Sequence, residues 1–353
     1  MAVIRAIEIG FGTLSYVENV ENGVPVIKTF SSVVAGVNVN DKDLSSGLNK
    51  RNTIRVQVGD EFYEVGPDAG MLTSRKTTRV LDSSYTESYQ YKALLLGALG
   101  VMNEPVIDVL GLGLPVENFN RAEEVKKAVI GTHVINDKKV VIKDVLILPQ
   151  PYCGLMSYVN SLGQSGFNSL RGKTILSLDP GYGTLDWVVT AGMAFNDLRS
   201  DGCDLGFSTV IEAVSSALKS AFPKMGVIPE SIIDQAFWLD VGVLKVAGKR
   251  YPFPVCNGQD MDGNQVDVYY DVTNVIKRCI RAGINQVRNS VRQGADVELI
   301  LLMGGPHKQY IEEVQLAYPT HDIVVVKNPL TAICEGLFIA SHQYFEMKQK
   351  GAA

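Results

Sequence analysis

Apolar and polar residues along this chain follow two rhythms, one near period 2 and one near period 3.6, that take turns from end to end. Strand-like stretches open it: Val3–Ile9, Leu14–Val20 and Val24–Phe30. A hairpin pair follows, Thr53–Val58 and Glu61–Val65, turning at Gly59-Asp60, where glycine and aspartate suit a tight turn. The polar stretch Asn38–Asn52 reads as a surface loop. Tyr89–Met102, rich in Leu and Ala, predicts a buried helix; Val106–Leu114 predicts a strand and Arg121–Ile130 a short charged helix. Two strands, His133–Ile135 and Lys139–Ile142, flank an Asn136-Asp137 turn, and a further strand, Val145–Leu148, ends at Pro149-Gln150-Pro151. Leu155–Leu162 then predicts a helix and Gly163–Gly172 a linker.

The second half repeats the plan. Strands are expected at Thr174–Asp179 and Leu185–Thr190, then a Gly/Asp-rich loop through Asp201–Gly206 and a helix over Ser208–Ala221. Ile276, Ile280, Ile284, Val287 and Val291 recur at helical spacing and place a longer helix over Asp271–Val291. An apolar strand, Val297–Met303, runs into Gly304-Gly305-Pro306. Ile323–Val326 precedes Asn328-Pro329, and a helix over Ala332–Phe345 follows. Strands alternating with helices in both halves indicate an α/β class with two related domains.

The duplication is visible in one motif. Glu8-Ile9-Gly10-Phe11-Gly12-Thr13-Leu14-Ser15-Tyr16-Val17 returns as Asp179-Pro180-Gly181-Tyr182-Gly183-Thr184-Leu185-Asp186-Trp187-Val188, with five of the ten positions identical. An apolar run, a carboxylate, a Gly-x-Gly-Thr turn and a second apolar run describe a hairpin whose tip can cradle an anion. The glycines let backbone N–H groups approach a phosphate, and the threonine adds a hydroxyl. A carboxylate beside phosphate needs a cation between them, which points to Mg²⁺. In that reading Gly10, Gly12, Thr13, Leu14, Gly181, Tyr182, Gly183 and Thr184 face phosphates, Asp179 holds the metal, and Glu8 reaches it through water.

Two further elements add to this. The strand ending in Gly304-Gly305-Pro306 allows a flat nucleoside to pass close to the backbone, or else marks a tight turn into a helix; His307 beside it faces the base or caps that helix. Gln150, restrained by a proline on either side, cannot take a proton at neutral pH but can orient a water for attack on a γ-phosphate. A small-molecule kinase would need an Asp or similar general base near the transferred phosphoryl group; Asp186 is a candidate, although its place on the outgoing strand favours a pairing or turn role.

Composition narrows the alternatives. Hydrophobic content of 46% with 20% charged residues is that of a globular chain rather than a disordered one. A net charge of −5 argues against direct binding of nucleic acid. No apolar run reaches membrane-spanning length, and the N-terminus reads as a strand rather than a leader, so a cytoplasmic protein is expected. The cysteines Cys153, Cys203, Cys256, Cys279 and Cys334 are scattered without metal-ligand spacing and read as reduced thiols.

Together the two phosphate loops, the strand into Pro149-Gln150, the strand into Gly304-Gly305-Pro306 and the Asn328-Pro329…Ala332…Glu335-Gly336 segment resemble the superfamily of actin, heat-shock chaperones and sugar kinases. Within it the chain most resembles bacterial actin-like proteins of plasmid partition, the ParM/StbA type; the segment from Asp201 to Val214 is similar to the loop and helix after the second phosphate hairpin in that group. The resemblance implies an actin-like fold with an ATP cleft between two domains, each with a smaller outer subdomain. The domains would be residues 1–168 with the C-terminal helix 330–353, and residues 169–329. It further implies a slow ATPase, with GTP as the other candidate nucleotide, that polymerises into filaments under Mg-ATP control and drives plasmid segregation. Partners would be other copies of the chain and a small DNA-binding adaptor at a plasmid centromere, with no membrane. Catalytic roles would fall to Gln150 and Asp179, metal binding to Asp179 and Glu8, and nucleoside contacts to Gly304, Gly305 and Pro306. Two departures stand out: Glu8 replaces the usual aspartate, and Gln150 stands where partition proteins often carry glutamate. The alternatives are a cytoskeletal scaffold of the same fold and a small-molecule kinase. Filament contacts are expected at Asn38–Asn52 or Ala247–Tyr270, where Tyr251-Pro252-Phe253-Pro254 is either a contact patch or subdomain packing.

Overall fold

The computed structural model describes residues 2–38, 50–72, 84–239 and 241–351. In the first half, β1 (Ile4–Ile9), β2 (Thr13–Glu21) and β3 (Val24–Ser31) form a meander, and β4 (Val34–Val37), β5 (Ile54–Val58) and β6 (Glu61–Val65) a small antiparallel sheet. Helix α1 (Tyr89–Met102) begins where the Ser88 hydroxyl accepts the Tyr91 N–H and ends at left-handed Asn103. Then come β7 (Val106–Ile107), β8 (Val109–Leu114), α2 (Ala122–Val129), β9 (Gly131–Ile135), β10 (Lys138–Ile142), β11 (Val145–Pro149) and α3 (Gln150–Leu170). The second half runs β12 (Thr174–Pro180), β13 (Leu185–Ala191), β14 (Ala194–Phe195), β15 (Asp201–Cys203), α4 (Phe207–Leu218) and α5 (Glu230–Trp238). Two outer hairpins follow, β16 (Val243–Val246) with β17 (Lys249–Pro252), and β18 (Val255–Gln259) with β19 (Gln265–Asp271). The chain continues through α6 (Thr273–Ser290), β20 (Leu299–Leu302), α7 (His307–Ala317), β21 (Asp322–Val325) and α8 (Ala332–Gly351).

The repeat seen in the sequence is a repeat of architecture. One sheet has the order β3-β2-β1-β8-β11 and the other β14-β13-β12-β20-β21. In both, the central strand is antiparallel to the strand after it and parallel to its neighbour on the other side. The α/β class with two related halves expected from the alternating pattern is therefore present.

Packing explains why β1 is apolar without a polar face. All of Ile4–Ile9 is buried, but alternate residues enter different cores. Ile7 and Ile9 join the core of the first half with α1, whereas Ile4 and Ala6 face a third core lying between the two sheets. That shared core is filled by α3, through Cys153 and Leu155, and α8, through Ile333 and Leu337, against Ile175 and Leu301 of the second sheet. The helices meet at backbone distance: a Cβ on Gly336 would overlap the carbonyl oxygen of Cys153.

Several expectations are corrected. The linker expected over Gly163–Gly172 is helical up to Leu170; Gly163 absorbs a kink (φ 66°, ψ −168°) and the helix resumes, since no proline stops it and Leu170 is buried. Gln150, expected at the end of a strand, is the first residue of α3, where Pro151 is tolerated because first-turn N–H groups need no helical partner. The strand expected over Val106–Leu114 breaks at Asp108, whose carboxylate accepts the Val3 N–H (2.7 Å) and pairs with Lys143 (2.7 Å). Tyr251 and Phe253 are buried, so that aromatic stretch is subdomain packing. Most of the Asn38–Asn52 stretch lies outside the described residues. Gly336→Ala should cost about 2–3 kcal/mol by forcing α3 and α8 apart; an unchanged urea midpoint would contradict the close helix contact.

Candidate functional site

Both repeated hairpins close in the same way. Register ends with Ile9 opposite Leu14 and with Pro180 opposite Leu185, leaving Gly10–Thr13 and Gly181–Thr184 as the tips. In each tip the first glycine N–H donates to the threonine carbonyl, at 3.0 Å and 2.8 Å. A side chain there would crowd that carbonyl, since an added Cβ would lie 3.1 Å from Thr13 O or 3.0 Å from Thr184 O.

The two tips meet. A Cβ on Gly12 would fall 2.7 Å from Tyr182 Cβ, and a Cβ on Gly183 would fall 2.7 Å from the Phe11 ring. Each loop's aromatic thus covers the other loop's second glycine. Phe11 also stacks on Tyr85, with centroids 4.4 Å apart. Behind the first tip, the Ser32 hydroxyl (2.6 Å) and the Tyr85 hydroxyl (3.2 Å) donate to Gly10 O, and the Ser32 N–H donates to Gly12 O (2.9 Å). Behind the second, the first amides of α4 do the same: Phe207 N–H to Gly181 O (3.0 Å) and Ser208 N–H to Tyr182 O (2.7 Å). The carbonyls are therefore held from outside, while the N–H groups of Gly12 and Gly183 donate to no described residue. Two such donors brought together suit an anion.

Three carboxylates lie beneath the tips. Burial raises Glu8 to about 8, with the charge of Asp179 adding to the effect and the Ser15 hydroxyl opposing it. Burial likewise raises Asp179 to about 8, helped by Asp186. The copies differ in the cross-strand partner, which is Ser15 for Glu8 and Asp186 for Asp179. Asp186 is pushed up to about 6 by burial, against the donated Thr184 hydroxyl (2.5 Å) and Val116 N–H (2.8 Å). The buried arginines Arg5 and Arg199 are committed elsewhere, to Glu104 and Asp296. No group of three or more metal-ligating side chains occurs among the described residues. Glu8 and Asp179 nevertheless fit Mg²⁺, which binds through one or two carboxylates completed by water and phosphate oxygens. They are hard oxygen donors, and no cationic side chain among the described residues is paired with either.

Other expected site residues fall around this centre. Gln150 is buried, its side-chain nitrogen has no hydrogen-bond partner among the described residues, and its Cγ lies against Gly113, the strand neighbour of Glu8. Gly304 has φ +81°, and a Cβ there would lie 2.5 Å from both Asp179 Oδ1 and Pro180 O, so its glycine seats the β20–α7 turn against the second loop. Gly305 carries no comparable constraint, and Pro306 caps α7 without an N–H of its own. His307 Nδ1 faces Gly304 O (2.8 Å) and Gly305 O (3.1 Å); carbonyls only accept, so this nitrogen carries the proton. Leu14 is fully buried in the first core, paired between Ile9 and Phe30, and is not turned to a ligand. Thr184 spends its hydroxyl on Asp186 rather than holding it free for phosphate. Ser32, Tyr85 and Val116 escape sequence reading because their partners are remote in the chain. The matched aromatics Phe11 and Tyr182 were the available signal for loop contact.

Residues 6–152 match the family described as the actin-like proteins N terminal domain. No curated protein matches the chain. Among solved structures, the native archaeal actin homolog Ta0583 is 16% identical, with a TM-score of 0.74 over 97% of this chain and 99% of that one. A complex of Ta0583 with ADP gives a TM-score of 0.69 at 15% identity, covering 97% and 99%. A 15-stranded ParM filament from Clostridium botulinum gives 0.69 at 17% identity, covering 97% and 100%. The chain has an actin-like fold, and its structural neighbours include the ParM type that the sequence resembles. No helix among the described residues is long and apolar enough to cross a membrane.

Asp186 yields a pH prediction. Its carboxyl ionises at about 6 in the folded chain against 3.8 ordinarily, so the folded state keeps a proton that the unfolded state has lost. Between those values the unfolded chain binds fewer protons, and stability falls as pH rises. Asp186→Asn can still accept from Val116 and donate to Thr184; its urea stability should decline less between those two pH values than that of the parent.

Proposed function

We propose that this protein binds Mg-ATP between its two glycine loops, hydrolyses it slowly and assembles into filaments whose growth depends on the bound nucleotide. The observation that carries this reading is the pair of loops, in contact through Phe11 and Tyr182 and standing over the buried carboxylates Glu8 and Asp179. The uncommitted N–H groups of Gly12 and Gly183 donate to phosphate oxygens. Glu8 and Asp179 would hold the metal in their ionised forms, Asp179 as the ligand and Glu8 through water. Mg²⁺, when bound, supplies the positive charge that lets phosphates approach those carboxylates. Gln150, with its orphaned amide beside Gly113, orients the attacking water. Gly304, Gly305 and Pro306 support the nucleoside.

The ParM type supplies the cellular setting: a cytoplasmic filament that moves plasmid copies through a small DNA-binding adaptor. The kinase alternative is weakened because Asp186 is fully buried and turned to Thr184 and Val116 rather than to an open site.

Purified protein mixed with Mg²⁺ and ATP or GTP should scatter light and release phosphate. Absence of pelletable polymer with either nucleotide across a range of salt would overturn the filament reading. Gln150→Ala should slow phosphate release by roughly 10²-fold, the size of effect seen when a catalytic hydrogen-bonding group is lost, while nucleotide affinity is retained; unchanged turnover would remove Gln150 from the mechanism.

A further inference from the structure

We infer that Phe11 and Tyr182 are positioning residues, a mechanical stop that sets the distance between the two phosphate loops. The inference rests on the nucleotide-site reading above, but its physical content stands on contacts between the halves. The reciprocal geometry comes first. Tyr182 covers Gly12 and Phe11 covers Gly183, each with a Cβ clearance of 2.7 Å, closer than side chains tolerate. Neither glycine has a left-handed backbone. Alanine at either position would therefore suffer from the facing ring and not from its own φ.

Both aromatics are anchored in the bodies they join. Phe11 is a buried member of the first core and stacks on Tyr85. Tyr182 packs against the hydrophobic cores of both halves. Each loop is also braced from behind, by Ser32 and Tyr85 on one side and by the first turn of α4 on the other. A stiff loop touching another stiff loop transmits displacement rather than absorbing it. The contact thus fixes the spacing between the Gly12 and Gly183 amides, so that a phosphate chain meets both donors together. Closure of the halves ends where ring meets glycine.

The test is a double-mutant cycle. Around a Cβ on Gly183 the three nearest atoms all belong to Phe11. Gly183→Ala should hold the loops apart, enlarging the nucleotide-free protein in small-angle X-ray scattering and weakening Mg-ATP binding by roughly tenfold or more, as expected when one hydrogen bond to a charged phosphate is lost. In a Phe11→Ala background the same Gly183→Ala change should cost little in either measurement, because the ring it strikes is gone. Phe11→Leu, which keeps apolar volume, serves as the background if Phe11→Ala does not fold. Additive effects, or a Gly183→Ala protein identical to its parent in scattering, would overturn the stop. If the parent chain binds no Mg-ATP, the nucleotide reading fails on that result alone, and the scattering arm of the cycle still decides this one.

Discussion

Two carboxylates are buried at the ends of the two central strands, and much of the surrounding structure follows from holding them there. Glu8 and Asp179 lose water on folding and each feels a neighbouring acid, so their ionised forms are costly in the absence of a cation. Such groups stay buried only where the rest of the fold outweighs their desolvation cost. The sheets supply that rigidity: β1 and β12 are inner strands, buried on both faces and paired on both edges. The loop carbonyls are pinned by Ser32, Tyr85 and α4, and Gly304 presses the β20–α7 turn onto Asp179. Any cation placed beside them would lower the cost of ionising both.

The duplication gives this arrangement its symmetry, and divergence removes some of it. Both copies have the Gly-aromatic-Gly-Thr tip, and each aromatic covers the other copy's second glycine. Across the strand from the leading acid, however, one copy carries Ser15 and the other Asp186. The first hairpin can therefore soften its carboxylate with a hydroxyl, while the second must satisfy an extra acid with Thr184 and Val116. The Asp186–Val116 bond joins the second hairpin to the turn after β8, so the extra acid also ties one half to the other.

How much of this was legible in the sequence depended on whether the cause was local. The strands around both tips, the helix Tyr89–Met102 and the paired loops could be read, because period-2 and period-3.6 patterns and glycine turns are short-range signals. The helical stretch after Gly163 was missed because glycines that normally punctuate a chain were tolerated at a kink. Helix α5 and strands β16 to β19 were likewise not resolved, being short elements stabilised by packing against one another. At the site, the acids and glycines were legible as residue types. That Gly304 seats against Asp179 depends on a tertiary contact and had no local signature, whereas the partner of Thr184 is two residues away and the proline after Gln150 is itself a mark of a helix's first turn.

One feature bears on how the chain acquires its structure. The inward face of β1, Ile4 and Ala6, is covered in part by Ile333 and Leu337 of α8, and the Cys334 thiol sits against the Ala6 carbonyl across 328 positions of sequence. During synthesis the opening meander leaves the ribosome long before its cover exists. Until α8 docks, one side of the first sheet remains an apolar surface, open to misassociation, and the loop that must close to cover it spans most of the chain. The inward face of β1 thus stays uncovered until residues some 328 positions downstream have been made.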